Sequence, residues 1–452
     1  MPFSNLKLSS ITQIETGVCL SSSEFQQKIK QREVELAEKY QITSGICILM
    51  LQNNSIEFFI NLLAIFNLKA TAIPMDPNSS LLEIETITRH ANVSLVITDE
   101  HFENIQSNAN EATKDTALIL YTSGTTGDPK GILISYGALI EKLEVLSCVI
   151  KTEERKSSLC ALPTYFGHGL ICNSLFPIFY SENFFIAKKF DLMLIVNFVN
   201  YLEKYNISFF SSVPSVWDLI LNFCPPPSAQ LTSLKRVHCA SSLLSREKAT
   251  AIKEWIGDMA EFYNIFGITE MLGWVAGNKI TLNRDPNLFE EFWYLQKEFS
   301  EEGELCLKSK YMFSGYLKND LANGASFTKD GFFKTGDLFK EMIYKGRSLL
   351  IVNKNGIKIY PQEIDHFLLA SGMVADSYTF AIKNKFSGEI IGVLLTLKGG
   401  CTLEQVKEYC LARLSPTKFP DRFFLLDKIV RNARGKISME QLQQFQNKSS
   451  DE

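Results

Sequence analysis

Residues 121–131 read Tyr-Thr-Ser-Gly-Thr-Thr-Gly-Asp-Pro-Lys-Gly, directly after the apolar run Ala117–Leu120. Glycines expose backbone N–H groups that can converge on anionic oxygens. Thr122, Ser123, Gly124, Thr125, Thr126, Gly127 and Lys130 thus offer N–H groups, hydroxyls and one positive charge, a set suited to phosphate. The stretch is not a Walker loop, which needs a lysine followed by Ser or Thr to hold Mg²⁺. Here Gly131 follows Lys130, and Pro129 has no N–H to contribute. Gly127-Asp128-Pro129 is also good turn chemistry, so on its own the stretch leaves a surface turn open.

Four later stretches carry further reactive side chains: YNIFGITE (263–270), GFFKTGDLF (331–339), YKGRSLL (344–350) and VRNARGKIS (430–438). Glu270 is a hard oxygen ligand of the kind Mg²⁺ takes alongside substrate phosphates. Each stretch has a plain alternative: a Thr-Glu pair can open a helix, and a C-terminal Arg-Gly-Lys can be a solvated turn.

The elements that must position these residues alternate in period. EFQQKIKQREVELAEKY sets Phe25, Ile29 and Leu36 on one helical face, and GICILML (45–51) suits a strand buried on both sides. SIEFFINLLAIFNL reads as a largely buried helix, while AIPM, VSLVIT, ALILYT, LCAL, FFIA and ISFFSSV read as strands. Alternating α and β segments predict an α/β fold with parallel sheets covered by helices. Beyond residues 345–350 come SYTFAI, IIGVLLTL and the helix TLEQVKEYCLARL with its threonine cap, the content of a small α+β domain.

Composition narrows the function. The 452 residues carry a net charge of -4, which gives no reason to expect a nucleic-acid partner. The ten cysteines form no C-x-x-C pair, so a zinc ribbon is excluded, and scattered cysteines point to a reducing, cytoplasmic setting. The charge-free stretch 157–181 contains Pro163, Gly167, His168, Gly169 and Pro177, which fits buried strand, loop and helix start rather than a membrane span. No G-x-S-x-G elbow is present, which disfavours a serine hydrolase.

TSGTTGDPKG resembles the phosphate loop of the adenylate-forming superfamily, which includes acyl- and aryl-CoA synthetases, adenylation domains and luciferases, and the other stretches resemble its later motifs in order. The resemblance runs from about Ile46 to Met439. It implies ATP as substrate, Mg²⁺ held by Glu270, and Thr269 on the α-phosphate. It further implies Phe266, after Asn264 and before Gly267, stacked on adenine, Asn264 on the adenine amino group, Asp337 on the ribose hydroxyls, and Arg347 as a second ribose or phosphate contact. Lys436 would be the catalytic lysine. The implied organisation is an adenylating domain over 1–346 with a small β subdomain, a hinge at 347–349, and a mobile domain over 350–452. The activity implied is activation of a carboxylic acid to an acyl-adenylate, then a thioester on CoA or on the phosphopantetheine of a carrier protein. Gly356 and Lys358, in NGIKIYPQEID, match the face that lines the thiol's route.

GELCLKSKYMFSGYLKN (303–319) matches a strand pair of the family and receives no chemical role. Phe166, His168, Ser242 and Met271 are candidates for the acyl pocket, with a hydrogen-bonded core histidine as the other reading of His168. No aspartate stands in that region to hold a substrate ammonium, which favours a fatty, aryl or other non-amino acid over an amino acid. Three features depart from the family: Leu349 replaces the usual polar hinge residue, Ser241 and Ser242 replace a glycine-rich turn beside the adenine, and the chain between Glu270 and Gly303 is short. An apolar hinge leaves open a non-catalytic nucleotide- or acyl-binding protein of the same fold.

Overall fold

A computed structural model describes residues 6–445 except 106–112, 123–129, 228–230, 242–243, 282–283, 348–351, 355–356, 360, 385–387, 415–417, 432–436, 438–441 and 443, and omits the side chains of residues 122, 353, 357 and 358. It divides into two compact units, one of 1–297 with 307–333 and one of 298–306 with 334–452. The division falls upstream of the hinge expected at 347–349.

The first unit holds two large sheets. A seven-stranded sheet runs in the order Gly315–Tyr316, Lys130–Ser135, Thr116–Thr122, Thr71–Pro74, Cys47–Leu51, Val93–Thr98, Phe102–Asn104. An eight-stranded sheet runs Gly273–Lys279, Glu261–Ile268, Arg236–Ala240, Phe209–Ser212, Ser157–Cys160, Asn183–Ile186, Ser10–Gln13, Cys19–Ser21. Central neighbours pair in parallel, as the apolar strands predicted. The edges are antiparallel, so the sheets are mixed.

The helix Ser22–Lys39 buries Phe25, Ile29 and Leu36, the face read from its spacing, and Ser21 and Glu24 form a capping box at its start. The helix Ile56–Asn67 is buried almost all round because it lies between the sheets: Phe59 meets Phe184 of one, and Phe66 meets Tyr136, the first residue of the helix that follows the strand Lys130–Ser135 of the other. Outside the eight-stranded sheet, Phe210, Val237, Trp217, Ile252 and Trp255 pack its strands against the helices Pro214–Phe223 and Arg246–Ile256. Among the described residues, no helix is long and apolar enough to cross a membrane.

The stretch GELCLKSKYMFSGYLKN departs from the expected strand pair. Glu304–Lys308 lies in a four-stranded sheet with Gln296–Phe299, Phe333–Lys340 and Ile343–Arg347, whereas Gly315–Tyr316 closes the edge of the seven-stranded sheet. Its backbone donors are met by other partners: Ser314 N–H donates to Leu133 and Leu317 N–H to Gly131, both at 2.8 Å. The second unit also carries a five-stranded sheet that includes the long strands Val374–Asn384 and Gly388–Leu397, with helices Pro361–Ala370 and Leu403–Arg413. Val352, Ile364, Leu368, Val393 and Val406 form its core.

One buried asparagine ties the sheets at the carboxyl ends of their strands, where parallel α/β sheets bind ligands. Asn54 donates to the carbonyls of Leu162 at 2.8 Å and Ala187 at 3.1 Å, and accepts from the Thr164 N–H at 3.1 Å and hydroxyl at 3.0 Å. Replacing it by alanine orphans several buried groups, at about 1–3 kcal/mol for each. Asn54→Ala should therefore cost about 3 kcal/mol or more, read as a lower urea midpoint with an unchanged slope.

Candidate active site

Thr269 and Glu270 sit where the chain reverses between the antiparallel strands Glu261–Ile268 and Gly273–Lys279. A short 3-10 turn, Thr269–Met271, replaces the helix start that a Thr-Glu pair could have made. Two glycines permit this tight reversal. A Cβ on Gly267 would lie 2.5 Å from the Gly273 carbonyl oxygen, and Gly273 itself has φ +95° and abuts the Cys172 sulfur. The register slips at Phe266/Gly267, a bulge that aims the turn.

Glu270 is half-buried and held twice. Its carbonyl accepts from the Phe313 N–H at 2.8 Å, and its Oε1 accepts from the Tyr316 hydroxyl at 2.8 Å. Its second carboxylate oxygen makes no hydrogen bond among the described residues. Lys130, which opens the strand Lys130–Ser135 after the loop, places its ammonium 5.3 Å from the centroid of the same Tyr316 ring. The end of the loop and the Thr-Glu turn are thus neighbours. A carboxylate with an uncommitted oxygen beside a lysine fits Mg²⁺ carried on polyphosphate: Glu270 would ligate the ion while Lys130 faces the phosphates.

Ser123, Gly124, Thr125, Thr126, Gly127, Ser242, Leu349, Gly356 and Lys436 lie outside the described residues, and of Thr122 and Lys358 only the backbone is described. Asn264 and Phe266 share one face of their strand. The amide nitrogen of Asn264 donates to the Pro286 carbonyl at 2.9 Å and to Asn287 Oδ1 at 3.2 Å. Its own Oδ1 is buried and has no partner among the described residues, the polarity an amino group would match. Phe266 is buried beside Phe289 and Phe292.

His168 opens a π-helical turn, His168–Leu175, a geometry frequent at functional sites. One ring nitrogen meets the Ser241 hydroxyl at 3.0 Å and the other the Ser211 hydroxyl at 2.7 Å. Burial drives its pKa down to about 3, so the ring is neutral. It is a hydrogen-bonded core histidine, packed edge-on against Trp274. Ser241 is exposed and takes φ +77°, a left-handed conformation in which glycine is unstrained. Met271 is fully buried, and Phe166 is half-buried beside Tyr165.

In the second unit, Asp337 is almost wholly buried, and its Oδ1 accepts from Arg347 Nε at 3.2 Å and from the Tyr344 hydroxyl at 3.1 Å. Tyr344 and Arg347 lie an odd number of residues apart, so a regular strand would point them to opposite faces. The register shift between Leu338 and Phe339 restores them to one face. Burial and the adjacent carboxylate charge hold the Tyr344 phenol well above its ordinary pKa, so it remains a donor.

A family model described as AMP-binding enzyme matches residues 103–317, the span that contains the loop, the Thr-Glu turn and Tyr316. That span, just under half of the chain, is similar to AMP-binding enzymes, in keeping with the resemblance of its motifs to the adenylate-forming superfamily. It is 27% identical over 363 residues to an acyl-CoA synthetase of Gibberella moniliformis, covering 72% of this chain and 65% of that protein, just under two thirds of its length. To an oxalate–CoA ligase of Arabidopsis thaliana it is 25% identical over 446 residues, 85% of each chain. To a 2-succinylbenzoate–CoA ligase of Bacillus subtilis it is 28% identical over 366 residues, 76% of this chain and 72% of the other. The fold matches o-succinylbenzoate CoA synthetase from Bacillus subtilis in complex with its acyl-adenylate intermediate, with a TM-score of 0.83 at 20% identity over 96% and 95% of the two chains. ATP-bound MatB from Rhodopseudomonas palustris gives a TM-score of 0.83 at 19% identity over 98% and 97%.

Within this adenylate-forming fold, two functional candidates escaped the sequence reading: Tyr316, which binds Glu270, and Tyr344, which binds Asp337. Tyr344 opens the stretch YKGRSLL, but only the bulge reveals where it points. His168 and His238 yield a pH test. His238 is also buried, and desolvation, followed by the Arg236 charge, holds its pKa well below the ordinary value. Both histidines bind protons in the unfolded chain below its ordinary pKa near 6.5 but not in the folded one, so stability falls as pH drops below that value. For His168 the window runs from about 6.5 down to about 3. Between pH 7 and 5 a His168→Asn variant should lose about 2 kcal/mol less unfolding free energy than the wild type, measured by urea titration at both pH values.

Proposed function

We propose that this protein is an AMP-forming acid–thiol ligase, activating a non-amino carboxylic acid with ATP and passing the acyl group to a thiol. The observation that carries the reading is the meeting of Lys130 and Glu270 on the ring and hydroxyl of Tyr316, which sets the end of a phosphate-type loop beside a metal-competent carboxylate. The relatives named above are an acyl-CoA synthetase, an oxalate–CoA ligase and a 2-succinylbenzoate–CoA ligase, which supports CoA as acceptor. A carrier-protein phosphopantetheine offers the same thiol and belongs to the proposal as an alternative acceptor.

In the first half-reaction a substrate carboxylate oxygen bonds to the α-phosphorus of ATP, and the bond to the β-phosphate oxygen breaks to release pyrophosphate. Two anions must approach, so the protein's contribution is positioning and positive charge. The residues Ser123, Gly124, Thr125, Thr126, Gly127 and Lys130 cradle the phosphates, Thr269 donates to the α-phosphate, and Asp337 with Arg347 holds the ribose. Lys436 draws the carboxylate and the α-phosphate together from the C-terminal domain, which pivots at 347–349. Mg²⁺, when bound at Glu270, neutralises phosphate charge. In the second half-reaction the thiol sulfur attacks the acyl carbonyl, and AMP leaves.

Carboxylate-dependent ATP–pyrophosphate exchange over a panel of fatty, aryl and dicarboxylic acids tests the first step. Lys436→Ala should lower exchange by at least about 10²- to 10³-fold. Exchange with none of the acids would favour a nucleotide- or acyl-binding protein of the same fold. Exchange with an amino acid alone would favour the amino-acid-activating reading. Thioester formation with CoA or with a pantetheinylated carrier then separates the acceptors.

A further inference from the structure

The segment 313–316 grips Glu270 through both backbone and side chain. Phe313 N–H donates to the Glu270 carbonyl, and the Tyr316 hydroxyl donates to Oε1, each at 2.8 Å. The tyrosine is itself fixed. Its N–H donates to Asn323 Oδ1 at 2.7 Å and its carbonyl accepts from Asn323 Nδ2 at 3.0 Å, while Gly315 and Tyr316 pair with Leu133 and Ile132 of the strand that Lys130 opens. Gly315, at φ +140°, lets Asn323 approach: a Cβ there would lie 3.0 Å from its Oδ1. Phe313 packs edge-on to the Tyr316 ring with centroids 5.0 Å apart.

The Lys130 ammonium faces the Tyr316 ring while Glu270 accepts from its hydroxyl, so one side chain meets both charges. If they paired, the ammonium would be lost to phosphate and the carboxylate to the metal. Tyr316 meets the two charges with different chemistry. Its hydroxyl satisfies one oxygen of Glu270 and leaves the other uncommitted, and the negative face of its ring attracts the Lys130 ammonium.

We infer that Tyr316 is a positioning residue which orients Glu270 toward Mg²⁺ and keeps Lys130 from pairing with it. This rests on the ligase reading above and adds to it a role for the stretch GELCLKSKYMFSGYLKN.

The test is ATP binding by calorimetry on the full chain, in excess Mg²⁺ and in EDTA, with Mn²⁺ relaxation as a direct probe of the metal in the ATP complex. Tyr316→Phe keeps the ring and removes the hydroxyl. It should cut the Mg²⁺-dependent gain in ATP affinity by about tenfold, weaken Mn²⁺ binding similarly, and leave affinity in EDTA as in the wild type. Tyr316→Leu removes the ring as well, and affinity in EDTA should then fall severalfold. Adding Glu270→Gln to Tyr316→Leu should restore it, because Lys130 loses its competitor. A Tyr316→Phe protein with wild-type Mg²⁺ dependence and Mn²⁺ affinity would overturn the inference while leaving the ligase reading intact. A wild-type protein that binds no ATP in either condition would overturn both. If Tyr316→Leu does not fold, Tyr316→Phe decides alone.

Discussion

A site that receives both a polyphosphate and its cation has to hold a positive and a negative side chain near each other without letting them neutralise. Most of the first unit's architecture bears on this constraint. The antiparallel edge of the seven-stranded sheet delivers Lys130, and the reversal at the edge of the eight-stranded sheet delivers Glu270. A two-residue strand, Gly315–Tyr316, stands between them. Asn54 ties the carboxyl end of the strand Cys47–Leu51 in one sheet to the ends of Ser157–Cys160 and Asn183–Ile186 in the other.

Much of the fold could be read from periodicity. The helix Ser22–Lys39 buries the three residues its spacing selects, and the strands Cys47–Leu51, Val93–Thr98 and Phe209–Ser212 fall on the apolar runs. Those segments are long or uniformly apolar, so burial alone fixes their type. Pairing is another matter. Local pattern gives a strand's period but not its neighbour, and the pair that the resemblance implied for GELCLKSKYMFSGYLKN falls instead into two different sheets.

The candidate site divides along the same line. Residue type suited Lys130 to phosphate and Glu270 to Mg²⁺, whereas the ribose roles of Asp337 and Arg347 were implied by the resemblance of their motifs. It could not announce the tyrosines that hold them. Tyr316 reaches Glu270 through a strand pairing distant in sequence, and Tyr344 reaches Asp337 only because a bulge resets the alternation of its strand. His168 is buried with its two ring nitrogens on serine hydroxyls, surroundings that suit the hydrogen-bonded core reading.

The bulge in the strand Ile343–Arg347 makes that segment sensitive to its length more than to its chemistry. Lys345 is the extra residue, and among the described residues its side chain forms no ion pair or hydrogen bond. Exchanging it for another amino acid leaves the spacing intact, whereas deleting it would turn Tyr344 or Arg347 away and strip the buried Asp337 carboxylate of a donor.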